Sequence, residues 1–246
     1  MEFFLETTGT IESGHGFAHF SPVHLGWLAV FLVAAVVGSL LYRRLTPSRR
    51  KIARFILAGL IVADELFKMV CLFIGGNYTL NYLPLHLCSI NILLIAWHVF
   101  KPSKTLDNFL YAVCIPAALI ALIVPSWTKL PFGNFMHMHS FTVHILLALY
   151  PILLTVGGDI RPDPKKIPKC FLFLFCAAAL VYGINLLLDT NFMFLMEADK
   201  GNPLWYFEQW FGNHLIGIPV FLIPIFIVMY LPWFIADKIS RKKKAQ

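Results

Sequence analysis

Long apolar runs broken by short polar connections organise the chain. Seven of them, at roughly 24–42, 53–74, 82–100, 107–126, 137–156, 168–188 and 214–236, each come near the ~20 residues a helix needs to cross hydrocarbon. The breaks hold turn and breaker residues: Thr46-Pro-Ser48, Gly75-Gly-Asn77, Pro102-Ser103, Pro131-Phe-Gly133 and Pro162-Asp-Pro164. The pattern predicts an all-α integral membrane protein with seven transmembrane helices. It divides the chain into an extracytoplasmic segment at 1–21, one seven-helix domain at 22–236 and a basic tail at 237–246. No internal repeat is visible.

Composition agrees. Charged residues make up 13% of the 246, about half the share of a soluble domain. The net charge of +7 does not point to nucleic acid, because the bases flank the apolar runs rather than covering a polar face. Seventeen Lys and Arg residues lie at 42–54, 101–104, 161–169 and 238–244, against Lys129 and Lys200 on the other side. The positive-inside rule then expects the N-terminus outside and the C-terminus in the cytoplasm. Residues 1–21 contain no Lys or Arg, so no signal-peptide n-region is expected there, and the segment is expected to lie on the membrane surface. Cys71, Cys88, Cys114, Cys170 and Cys176 sit in or beside apolar runs without a CxxC pair, the usage of small buried hydrophobes.

The third run, Tyr82 to Phe100, is the exception, since it carries His86, Cys88, Ser89 and Asn91 in its first half. Polar groups inside a bilayer mark function by default. Counted at 1.5 Å per residue from the outer boundaries, Cys88 lies about 9 Å and His144 roughly 10 Å down. His86, His139, Asn185, Asp189, His214 and Lys68 fall in the same half, and His98 in the other. His137 and His144, seven apart, share a helix face, and His139 points elsewhere. Asp64 and Lys68 are spaced i,i+4 and are expected to pair within the second span. Asn185 and Asp189 have the same spacing, and a bland reading has them end the sixth helix. The 190–213 connection interleaves Trp205, Tyr206, Phe207, Trp210 and Phe211 with Glu197, Asp199 and Glu208, an interfacial belt or a lid.

The chemistry that needs such a set is thiol nucleophilic catalysis. A thiol of pKa about 8.5 is mostly protonated at neutral pH, so Cys88 needs a base from another span, and His144 matches its depth. Asn or Asp would orient the imidazole or hold an oxyanion.

Leu83-Pro-Leu-His-Leu-Cys88, Phe20-Ser-Pro-Val-His24, His139-Ser-Phe-Thr-Val-His144 and Thr190-Asn-Phe-Met-Phe-Leu195, in this order, resemble the bacterial YwaF-like integral membrane family. That family is similar to the eukaryotic transmembrane protein 164 family. The resemblance implies a phospholipid acyltransferase with Cys88 as nucleophile and His144 as its partner, in a bacterial plasma membrane. The eukaryotic pattern has His directly after the Cys, whereas here His86 precedes Cys88 and Ser89 follows it.

The leading expectation is therefore a lipid acyltransferase or acyl hydrolase fed from the outer leaflet. Its catalytic pair is Cys88 and His144, and His86, Asn91, His137, His139, Asn185, Asp189 and His214 serve binding. The expected partner is a phospholipid or other acyl lipid, with no nucleic acid, no metal and no cofactor. A zinc-dependent lipid hydrolase would instead draw ligands from the histidines, including His15 and His19, and from Asp189. A transporter or sensor would use Asp64, Lys68, Asn185 and Asp189 around helices broken at Pro116, Pro219 and Pro224. A retinal protein is disfavoured, because the seventh span has no Lys for a Schiff base.

Overall fold

A computed structural model describes residues 3–198 and 203–244, all helix, turn and coil with no β-strand among them. Asp199 and Lys200 of the expected outer connection, and residues 245–246 of the tail, lie outside the described residues.

Local sequence sets the helix ends. α1 (Pro22–Arg44) and α2 (Pro47–Ile74) each begin on a proline, whose fixed φ suits the first turn and whose missing N–H has no acceptor there anyway. Thr46 caps α2 by accepting from the Arg49 N–H. α6 (Phe135–Gly157) is capped by Asn134, whose Oδ1 accepts from Met136 and His137, and stops at Gly158 with φ 83°. α7 (Ile167–Leu188) ends on Asp189 in the left-handed region. α8 (Pro203–Phe211) occupies part of the expected 190–213 loop, and α9 (Gly217–Lys244) runs on through most of the expected tail.

Two runs depart from the expected regularity. The third contains a helix, α3, only from Leu87 to His98. Its 12 residues span about 18 Å, short of the ~30 Å hydrocarbon core. Pro84 disfavours a helical residue before it, and the chain reaches α3 through a 3₁₀ turn at Leu80–Tyr82. Cys88 is therefore in the first turn of a short helix, not six residues down a long one. The fourth run is α4 (Lys104–Phe109), a π turn (Leu110–Cys114) and α5 (Ile115–Ile123) in series. Pro116 cannot donate to the preceding turn, and the ladder widens so that the Ile115 N–H reaches Leu110.

Among the described residues, five helical stretches are long and apolar enough to cross a membrane: Pro22–Arg44, Lys104–Ile123, Phe135–Gly157, Pro164–Leu188 and His214–Ile239. α2 is longer than any of them, but carries Arg49, Arg50, Lys51 and Arg54 on its first turns and Asp64, Glu65 and Lys68 nearer its other end.

α6 is the hub. It packs against α1, α2 and α5 and also touches α3; Phe141, Leu147, Ala148, Tyr150 and Leu154 on it are buried. At the basic end, Tyr42 donates to Asp159 at 2.6 Å, and Arg50 reaches the Gly157 carbonyl at 2.6 Å and Asp159 at 3.3 Å. His98 there bridges Tyr150 at 2.8 Å and Asp107 at 2.7 Å.

At the other end, residues 3–21 dock on the bundle. Asn134 Nδ2 donates to the carbonyls of Phe3 at 2.7 Å and Glu6 at 2.8 Å, and the Phe135 N–H to that of Phe4 at 3.1 Å. Asn77 holds the Leu5 carbonyl at 2.9 Å, and Phe17 donates to that of Thr128 at 2.8 Å. These partners are backbone groups, which hydropathy does not register.

Candidate functional site

The polar residues of α2 and α6 meet across one seam. His139 places Nδ1 3.2 Å from the Asp64 carboxylate and 3.2 Å from the Asp64 carbonyl, while its Nε2 stands 3.5 Å from Glu65. Thr142 donates to the same Asp64 carboxylate at 3.0 Å. Lys68, 8% exposed, is paired with Glu65 at 2.5 Å. The expected Asp64–Lys68 pair is thus replaced by Glu65–Lys68 and Asp64–His139. The i,i+3 Glu has the longer side chain for reaching back along its own helix, and the shorter Asp64 faces α6, where two donors meet it.

Lys68 also lies within electrostatic reach of His86, Cys88 and His144. One buried ammonium therefore ties α2 to the Cys-bearing start of α3 and to the His-bearing middle of α6.

Cys88 occupies an unusual place. His86 is the N-cap residue of α3 and provides no side-chain cap. The first-turn N–H groups of a helix have no partner inside it and carry partial positive charge. Cys88 and Ser89 are the second and third residues of α3, within that turn. One turn further on, Asn91 is 1% exposed, and its Oδ1 is buried with no donor.

His144 is held by one nitrogen. Its Nδ1–H donates to the Ser140 carbonyl at 2.6 Å, which assigns the tautomer and leaves Nε2 as the basic atom with its lone pair unengaged. Trp127 stacks on the ring at 5.3 Å, almost parallel at 10°. The Trp127 Nε1–H is itself buried without an acceptor. His86 has the opposite tautomer: its Nδ1 accepts from the Met193 N–H at 3.3 Å, so its Nε2 carries the proton. The two imidazoles thus differ in tautomer: His144 leaves a basic nitrogen free and His86 an N–H. No hydrogen bond joins Cys88 directly to His144.

The other expected site residues fall elsewhere. His137 accepts from Trp27 at 3.0 Å and donates to the Leu130 carbonyl at 3.1 Å, so both nitrogens are used in holding α1 and the 124–134 connection to α6. His24 is satisfied in the same way by Phe20 and Leu122. Asn185 organises the connection after α7: it accepts from Phe192 at 2.9 Å and Thr190 at 3.0 Å, and donates to the Phe192 carbonyl at 3.0 Å. Asp189 ends α7 exposed and does not join Asn185 in a binding pair. His214 donates to the Phe194 carbonyl at 2.9 Å. The 189–194 turn holds Asp189, Met193 and Phe194 at positive φ, a costly backbone for non-glycine residues, and it presents Met193 to His86. Among the described residues no group of three His, Cys, Asp or Glu side chains is arranged to hold a metal.

Sequence reading missed Thr142 and Trp127 as neighbours of these residues. Trp127 sits in a short connection with no periodicity to mark it, and Thr142 is a common helix residue until Asp64 is placed opposite.

The family model described as the TMEM164 family matches residues 19–230, and the chain belongs to that family. With its apolar helices this makes it an integral membrane protein. Neither a curated protein nor a solved structure matches it.

Proposed function

We propose that this TMEM164-family chain is a membrane-embedded acyltransferase or acyl hydrolase that takes a lipid acyl ester onto Cys88. In this reading the chain crosses the bilayer seven times, with α2, and α3 together with its lead-in, completing the five long apolar helices. The basic end faces the cytoplasm of a bacterial cell, and the site opens towards the outer leaflet.

The observation that carries the reading is the His144 imidazole, fixed through Nδ1 with Nε2 unengaged, on a helix that touches the one whose first turn holds Cys88. His144 Nε2 takes the thiol proton, and the Cys88 sulfur attacks the ester carbonyl. The tetrahedral oxyanion is received by first-turn N–H groups of α3 and by the His86 Nε2–H. Collapse breaks the ester C–O bond, and the leaving alkoxide regains the proton from His144, giving a thioester on Cys88 and a lysolipid. A second hydroxyl, from another lipid or from water, repeats the steps in reverse and frees the thiol. Substrate binding draws the two side chains into hydrogen-bond reach, as catalytic contacts often tighten only in the complex.

The test uses purified protein in phospholipid vesicles, followed by an acyl-reactive thiol probe and by lipid acyl turnover. Cys88→Ala should lose both labelling and turnover. His144→Gln should keep a thiol that labels slowly and turns over little. Undiminished turnover in Cys88→Ala ends the thiol mechanism.

A further inference from the structure

Arg50 and Arg54 lie one turn apart on α2, and their surroundings differ. Arg50 is enclosed by acceptors: the carbonyls of Arg43, Leu45 and Gly157 and the Asp159 carboxylate. Arg54 is half-buried and has neither a hydrogen bond nor an ion pair among the described residues. It lines a groove between the start of α2 and the end of α3, with Lys51, Phe55, Val99, Phe100 and Pro102 as the other walls. A half-buried guanidinium without a counter-ion is costly, and its fork of donors suits a phosphate.

The walls say which phosphate. Phe55 and Phe100 meet edge to face at 5.2 Å, and Phe100 is 72% exposed. Trp97 is exposed beside them, with the Lys101 ammonium 5.1 Å over its ring. Exposed aromatics beside basic residues mark the interfacial level of a membrane helix. Below them, Ile52, Ile56 and Leu60 expose an apolar strip on α2 along which an acyl chain would run. A soluble phosphate would have no use for that strip. We infer that this groove binds the phosphate of an anionic phospholipid, with Arg54 and Lys51 on the phosphate and the chains against the exposed face of α2. The site is separate from Cys88 and independent of the acyl-transfer reading, and basic pockets between helices are a known way of holding such headgroups.

Full-length protein is purified, and lipid retention is read by native mass spectrometry after incubation with mixed phosphatidylcholine and phosphatidylglycerol. Wild type should retain phosphatidylglycerol selectively. Arg54→Gln should lower that retention about tenfold, the effect of losing one charge-assisted hydrogen bond. Lys51→Gln, at an exposed position that folding does not need, should lower it in the same direction. Lys165→Gln, exposed on the α6–α7 connection, should not. Equal loss in Lys165→Gln overturns the proposal in favour of a diffuse basic surface, as does equal retention of both lipids. Displacement of phosphatidylglycerol by inorganic phosphate alone overturns the lipid and leaves a soluble anion in its place.

Discussion

His139 stands against Asp64 across the α2–α6 seam, its Nδ1 3.2 Å from the carboxylate. The contact joins two helices, whereas the pairing expected from spacing alone would have stayed within α2. Because Lys68 pairs with Glu65, and His139 Nε2 also stands 3.5 Å from Glu65, the four residues form two linked pairs. A double-mutant cycle on Asp64→Asn and His139→Gln should give a coupling energy in the range of roughly 0.5–3 kcal/mol seen for contacting residues. Glu65→Gln with Lys68→Met should couple more strongly than Asp64→Asn with Lys68→Met. Chemical unfolding in detergent measures all three. The inter-helix pairing is wrong if Asp64 couples to Lys68 more than to His139.

The two imidazoles near Cys88 should separate by role. His144→Gln removes the basic nitrogen, and turnover should fall by about 10²–10⁴. His86→Gln keeps a donor and should be milder, whereas His86→Phe should approach the His144 loss. Thiol alkylation rates, read beside turnover, distinguish a lost base from a lost oxyanion donor, since only His144→Gln should slow alkylation. Equal alkylation in both variants would remove His144 from its role.

Asn134 caps α6 and also holds the N-terminal segment through the Phe3 and Glu6 carbonyls. Asn134→Ala should cost about 1–2 kcal/mol through the cap and release the segment as well. Gly16→Ala should release it without touching the cap, because a Cβ there would lie 1.9 Å from the Thr128 carbonyl oxygen. Gly26→Ala, which meets nothing within 4 Å, is the control. Hydrogen exchange of residues 3–17 reads the release. Protection unchanged in both Asn134→Ala and Gly16→Ala would mean that the segment is held by other contacts.

Orientation can be read from two exposed serines at opposite ends of the bundle. Ser13→Cys should react with an impermeant maleimide in intact cells, and Ser48→Cys should react only after permeabilisation. The native cysteines are controlled by the unsubstituted chain. The opposite pattern would invert the topology and turn the Cys88 end towards the cytoplasm.

The all-helical, membrane-spanning class was legible in the sequence because hydrocarbon-length apolar runs leave few alternatives once every backbone group must bond internally. Pro22, Pro47, Asn134 and Gly158 likewise mark their helix ends by chemistry that needs only near neighbours. Cys88 and His144 stood out because polar residues are rare in such runs. What only the tertiary structure decided is where each polar side chain finds its partner. Asp64 turns to His139 and Thr142 on another helix, and His137, which resembles His144 in spacing, spends both nitrogens on Trp27 and Leu130. The shortness of α3 belongs to the same class. Hydropathy counts apolar residues whether the backbone is helical or extended, so the run from Tyr82 read as one span. Which residues of that run form helix depends on Pro84 and on the 189–194 turn packed beside it, where Met193 meets His86. Partner choice depends on contacts far apart in the chain, and one-dimensional spacing carries no information about them.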